Sequence, residues 1–105
     1  MNRLTGKWYK IADGRDSYEF FEGDYSLVFP LAVHLEKRFP FTRLPVISLD
    51  QIFISYEHLM LGWDIWSGLF LQANSQEGNR VLHEIAAEVE NLVNDLLNQA
   101  CDDQA

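Results

Sequence analysis

The sequence predicts an α+β fold: a small antiparallel sheet of about three strands in a meander, an N-terminal helix, and a long C-terminal helix packed on the sheet. Three observations predict it. From Leu82 to Ala100 the apolar residues keep helical spacing for about five turns. Residues 46–73 are crowded with β-branched and aromatic residues. A shorter helical pattern lies upstream, between Tyr25 and Phe39. With 105 residues, 48% of them hydrophobic and 23% charged, the chain reads as a single domain over 1–105 that buries a core without disulfides.

Residues 1–23 are expected to be irregular or to hold one short strand. Lys7–Ile11 has strand character but is brief, and residues 12–17 carry turn chemistry. Tyr18–Phe21 is apolar and aromatic without a readable period, and Glu22-Gly23-Asp24 breaks the chain again. The first helix is expected over 24–39, with Val28, Leu31, Ala32, Leu35 and Phe39 on one stripe and Asp24 as its cap. Pro30 either kinks that helix or sits in its first turn, where a missing N–H does no harm. Phe39-Pro40 ends it, because the residue before a proline is driven from the α region.

The meander spans 46–73, with strands at Ile52–Tyr56, Leu59–Trp63 and Gly68–Ala73. Glu57-His58 is either a turn or the middle of one long strand, and the turn is preferred here. The corner at 62–68 is expected to fold around Asp64, whose carboxylate accepts from backbone N–H groups two and three residues on. Ser75 is the expected N-cap of a helix over 75–100, with Glu77 in its first turn, and 101–105 is expected to fray.

The net charge of −8 is unevenly distributed. Residues 1–43 hold seven bases and six acids, whereas residues 44–105 hold Arg80 and ten acids. Such a C-terminal half argues against a nucleic-acid ligand, which requires clustered Lys and Arg. Glu77, Glu84, Glu88, Asn91, Asp95 and Asp102 share a helix face opposite the apolar stripe. With no base after Arg80, these acids are expected to be unpaired within the helix and either solvated or presented to a basic protein partner.

No catalytic motif appears. His34, His58 and His83 stand alone, outside any metal-ligating cluster, and fit boundary or surface positions. The glycines match neither a dinucleotide nor a Walker pattern, and Trp66-Ser67-Gly68 is not a nucleophile elbow. Cys101 lies beside Asp102 and Asp103, whose field raises a thiol pKa and disfavours a nucleophile. Glu57 and Asp64 would form an acid–base pair only if the fold brought them together. No nucleophile–base–orienter set can be assembled, so a non-enzyme is preferred over an enzyme, and no cofactor or metal is expected. A single cysteine, no apolar run near the ~20 residues that span a bilayer, and no signal-peptide core together point to the cytoplasm and away from a membrane.

Strand alternation separates two faces. Leu59, Leu61, Trp63, Leu69, Leu71 and Ala73 would seat the C-terminal helix. Tyr56, His58, Met60, Trp66 and Phe70 are expected on the other face as a partner-binding or homodimer surface, unless residues 1–23 fold over it. A small, acidic, motif-free chain of this kind is similar in general character to bacterial immunity and antitoxin proteins, a likeness of composition that implies an inhibitor of a basic protein. The alternative is a small-ligand-binding protein or an enzyme with a pocket between sheet and helix near Trp63, Trp66 and His58.

Overall fold

The computed structural model describes residues 3–43 and 45–103, with side chains through residue 99. Cys101 and Asp102, singled out above, lie outside the described side chains. The elements in order are β1 (Lys7–Lys10), β2 (Asp16–Phe20), α1 (Val28–Glu36), β3 (Val46–Ile47), β4 (Gln51–Ser55), β5 (Leu59–Asp64), β6 (Gly68–Ala73) and α2 (Gln76–Asp103).

The fold is α+β, and the C-terminal helix is the longest element, as expected. The sheet is larger than expected: six strands, all antiparallel, in the order β1-β2-β6-β5-β4-β3. The meander β4-β5-β6 is its centre. To this the N-terminal hairpin adds two strands on one side, and Val46–Ile47 adds a short edge on the other. The described part of that segment, residues 3–23, therefore widens the sheet and does not fold over its face. The strand β2 escapes sequence reading because its polar residues break the usual pattern. Asp16 and Ser17 are buried there, Asp16 satisfied by the distant Asn79 and His83 and the Ser17 hydroxyl by the Glu19 carboxylate.

Local signals explain the element boundaries. The Asp24 carboxylate accepts from Tyr25 N–H and the Ser26 hydroxyl, opening a 3₁₀ turn over Tyr25–Leu27 that leads into α1. Pro30 falls in the first turn of α1, where helix N–H groups have no internal partner. The helix is thus shorter than the expected 24–39. It ends at Glu36, and the Leu35 carbonyl takes up the N–H groups of Arg38 and Phe39. Glu57-His58 is a turn, held from outside: Asn74 donates to the carbonyls of Tyr56 and His58, and Glu57 N–H donates to Pro40. Asp64 accepts from Trp66 N–H at 3.0 Å and from Ser67 N–H. Gly68 follows at φ +73°, with no room for a Cβ against the Phe20 and Phe21 carbonyls. Ser75 caps α2 through a 3.0 Å bond from Gly78 N–H, and the helix continues past the expected end at 100 to Asp103.

Cross-strand register assigns each side chain to a face. Trp8, Tyr18, Leu71, Leu61 and Ile54 form one row; Phe20, Leu69, Trp63, Ile52 and Ile47 form the next. Both rows point to the layer of helices. The core closes there on Val28, Leu31, Ala32 and Leu35 of α1 and on Val81, Leu82, Ile85, Ala86, Val89 and Val93 of α2. Among the described residues, no helix is long and apolar enough to cross a membrane.

Candidate functional site

Because both helices lie on one face, the alternate residues of every strand point the other way. Register again orders them. Lys7, Glu19, Phe70, Gly62, Phe53 and Val46 make one row across all six strands; Tyr9, Ser17, Gln72, Met60 and Ser55 make a parallel row. Gly62 is the centre of the first row. Its missing side chain leaves a gap that the Phe70 ring occupies, with Phe53 alongside at a centroid distance of 6.1 Å. Phe70 is therefore only 3% exposed, yet it belongs to this face and not to the helix-covered core. Around it, Phe53, Met60, Gln72 and Ser55 are half-buried, and Tyr9 and Val46 are exposed.

At one end of this face lies a hollow of about 430 Å³ between the first two strands and the β5–β6 turn. Tyr9, Phe21 and Trp66 bring rings to it, and Arg3, Lys7, Glu19 and Glu22 bring charges. A second hollow, of about 490 Å³, opens on the helix side between α1 and the β3 edge. Tyr25, Phe29, Ile47, Leu49 and Trp63 line it, with no charged group.

Met60 and Phe70 thus sit together on the uncovered face as expected, and Trp66 stands at its rim. Tyr56 does not. It is fully buried on the helix side, its hydroxyl reaching the Ala32 carbonyl at 3.4 Å, because β4 points Ile52, Ile54 and Tyr56 towards the core. Burial pushes its pKa up to about 12. His58 is half-buried in the β4–β5 turn and lines neither hollow. Trp63, Trp66 and His58 therefore do not form one pocket: Trp63 and Trp66 belong to different hollows. Glu57 and Asp64 are likewise apart, at opposite ends of β5.

The acidic helix face is more neutral than its sequence suggests. Arg80 pairs with both Glu77 and Glu84, one turn before and after it. Glu88 takes Arg38 at 2.6 Å and His34 at 3.4 Å, and Arg3 donates to Asn91 at 2.8 Å. The expectation of unpaired acids is corrected: the base-rich N-terminal half folds back onto the acid-rich helix. Asp95 makes no ion pair among the described residues.

Two polar clusters went unread in the sequence. Glu90 accepts from Gly6 N–H at 3.1 Å, from the Tyr18 hydroxyl at 3.0 Å and from Arg3. The Gly6 bond leads in holding its carboxyl below the ordinary 4.5, and burial pushes Tyr18 up to about 12. Asp16, nearly buried, takes Lys10 at 2.6 Å and His83 at 2.9 Å, and these bonds lower its pKa. The His83 ring lies flat on Trp8, 4.0 Å between centroids. Both clusters fasten β1 and β2 to α2, so these groups serve the fold. Among the described residues there is no grouping of three or more His, Cys, Asp or Glu suited to a metal ion.

No family model matches this chain, and no curated protein or solved structure is significantly similar to it.

Proposed function

We propose that this chain is a non-enzymatic binding protein that docks a basic protein partner on the uncovered face of its sheet. One observation carries the reading: six strands present a continuous face of Phe53, Phe70, Met60 and Tyr9 amid polar side chains, with both helices on the other side. Interfaces favour aromatic and methionine side chains at their centres with polar groups around them. A net charge of −8 would speed the approach of a basic partner and make association salt-sensitive. The pairing of Glu77, Glu84 and Glu88 within the molecule favours the sheet face over the helix face in this reading. An immunity- or antitoxin-like inhibitor acting in the cytoplasm fits this reading.

A photoreactive phenylalanine analogue placed at Met60 or Gln72, and at Ala87 on α2 as control, tests the face in the native cells. Adducts to one basic protein from the two sheet positions alone are expected. Adducts from Ala87 alone would transfer docking to the helix. Adducts of twice the chain mass would replace the partner with a second copy.

The uncharged hollow beside Trp63 favours a second reading, a small apolar ligand held between α1 and β3. Quenching or enhancement of Trp63 emission in a ligand screen, lost in Trp63→Phe, would support it.

A further inference from the structure

We infer that the hollow at the rim of the uncovered face receives an arginine side chain of the basic partner, stacked on aromatic rings and paired with a carboxylate. This rests on the binding-protein reading and names the chemistry of one contact within it. Phe21 is 76% exposed and Trp66 68% exposed, and both line the same hollow as the half-exposed ring of Tyr9. Two such large rings left in water around one hollow are an unfinished contact.

The backbone that carries the rings is held in place before any ligand arrives. Asp64 ties down the backbone of Trp66 and Ser67. The close approach of Gly68 to the Phe20 and Phe21 carbonyls docks that turn on the end of β2. The charges select the ligand. Glu19 and Glu22 line the hollow together with Lys7 and Arg3. Arg3, however, is turned to α2, donating to Glu90 at 3.3 Å and Asn91 at 2.8 Å. Two carboxylates thus stand against Lys7: Glu19, its cross-strand partner, which also accepts from the Ser17 hydroxyl at 2.8 Å, and Glu22. Ring faces attract cations, and the planar, weakly hydrated guanidinium stacks on them better than an ammonium does. An apolar ligand would have to strip water from Glu19 and Glu22 without replacing it.

The probe is N-acetyl-arginine-N-methylamide, with its uncharged citrulline counterpart as control, titrated against the whole chain by NMR. The indole N–H of Trp66, assigned through Trp66→Phe, should shift saturably. Those of Trp8, stacked on His83, and Trp63, on the helix side, should stay still. Glu22→Gln should weaken the interaction roughly two- to fivefold and Lys7→Gln should strengthen it by a similar factor, the range of a partly exposed ion pair. Equal shifts with citrulline, equal shifts at all three tryptophans, no shift at Trp66, or weaker binding in Lys7→Gln would each overturn the assignment. Photo-adducts at Met60 and Gln72 alongside a silent Trp66 would leave the docking face standing and remove the arginine pocket alone.

Discussion

Gly62 shows how one residue sets the character of a whole face. A Cβ there would strike the Phe70 ring and come within 3.0 Å of Phe53 Cδ1. Gly62→Ala should therefore displace Phe70 and cost about 1–3 kcal/mol, the usual penalty of overpacking, read from the urea midpoint. Phe70→Leu in the same chain should return part of that loss, since neighbours in contact are not additive. An unchanged midpoint in the single variant would mean that the ring moves aside freely. The titratable groups make a second residue-scale prediction. Asp16 and Glu90 have folded pKa values below their ordinary 3.8 and 4.5, so their stabilisation is present above those values and is lost as pH falls through the lowered ones. Tyr18 and Tyr56 behave oppositely: raised to about 12 from 10.0, they stabilise below pH 10 and lose that contribution as pH rises towards 12. Thermal midpoints should decline at both extremes, and Asp16→Asn should flatten the acid limb. A wild-type acid limb unchanged by the substitution would refute the assignment to Asp16.

Among the elements, α2 does the most work. Its apolar stripe seats on the sheet, and Leu82 at its centre is fully buried. Leu82→Ala should cost about 2–5 kcal/mol, measured by denaturant unfolding. The helix also staples the N-terminus. Asn94 accepts from Leu4 N–H at 2.8 Å and donates to the Leu4 carbonyl at 2.9 Å. Asn94→Ala leaves both backbone groups without these partners and should cost about 1–3 kcal/mol, with Arg3–Lys7 amides exchanging faster while those of β5 and β6 hold. α2 was legible because eight apolar residues repeat on one stripe and Ser75 announces its start. The strand β2 was not, because Asp16, Ser17 and Glu19 look like loop residues until Lys10, Asn79 and His83 are brought to Asp16 and the Ser17 hydroxyl turns to Glu19.

For the whole molecule, strand order predicts a gradient of protection. Hydrogen exchange should be slowest in β5 and β6 at the sheet centre and faster in β1 and β3, which are paired on one side only. Uniform protection across the sheet would contradict that order. The edges also differ in chemistry: β1 carries Lys7 and Lys10, charges that discourage further pairing, whereas β3 exposes Val46 and Ile47.

The sequence by itself determined what depends on neighbours along the chain. These are the stripe of α2, the caps at Asp24 and Ser75, the Asp64 corner, the phase of Leu59–Trp63 and Gly68–Ala73, and the absence of a recognisable catalytic motif. Only the tertiary structure decided what depends on residues far apart. It added three strands to the sheet, moved Tyr56 to the core and sent Trp63 and Trp66 into separate hollows. It also paired the acids of α2 with Arg3, Arg38 and His34. The physical reason is the range of the forces involved. Turn and helix propensities act over a few residues, whereas strand pairing and ion pairing join groups that the sequence separates by up to 87 positions.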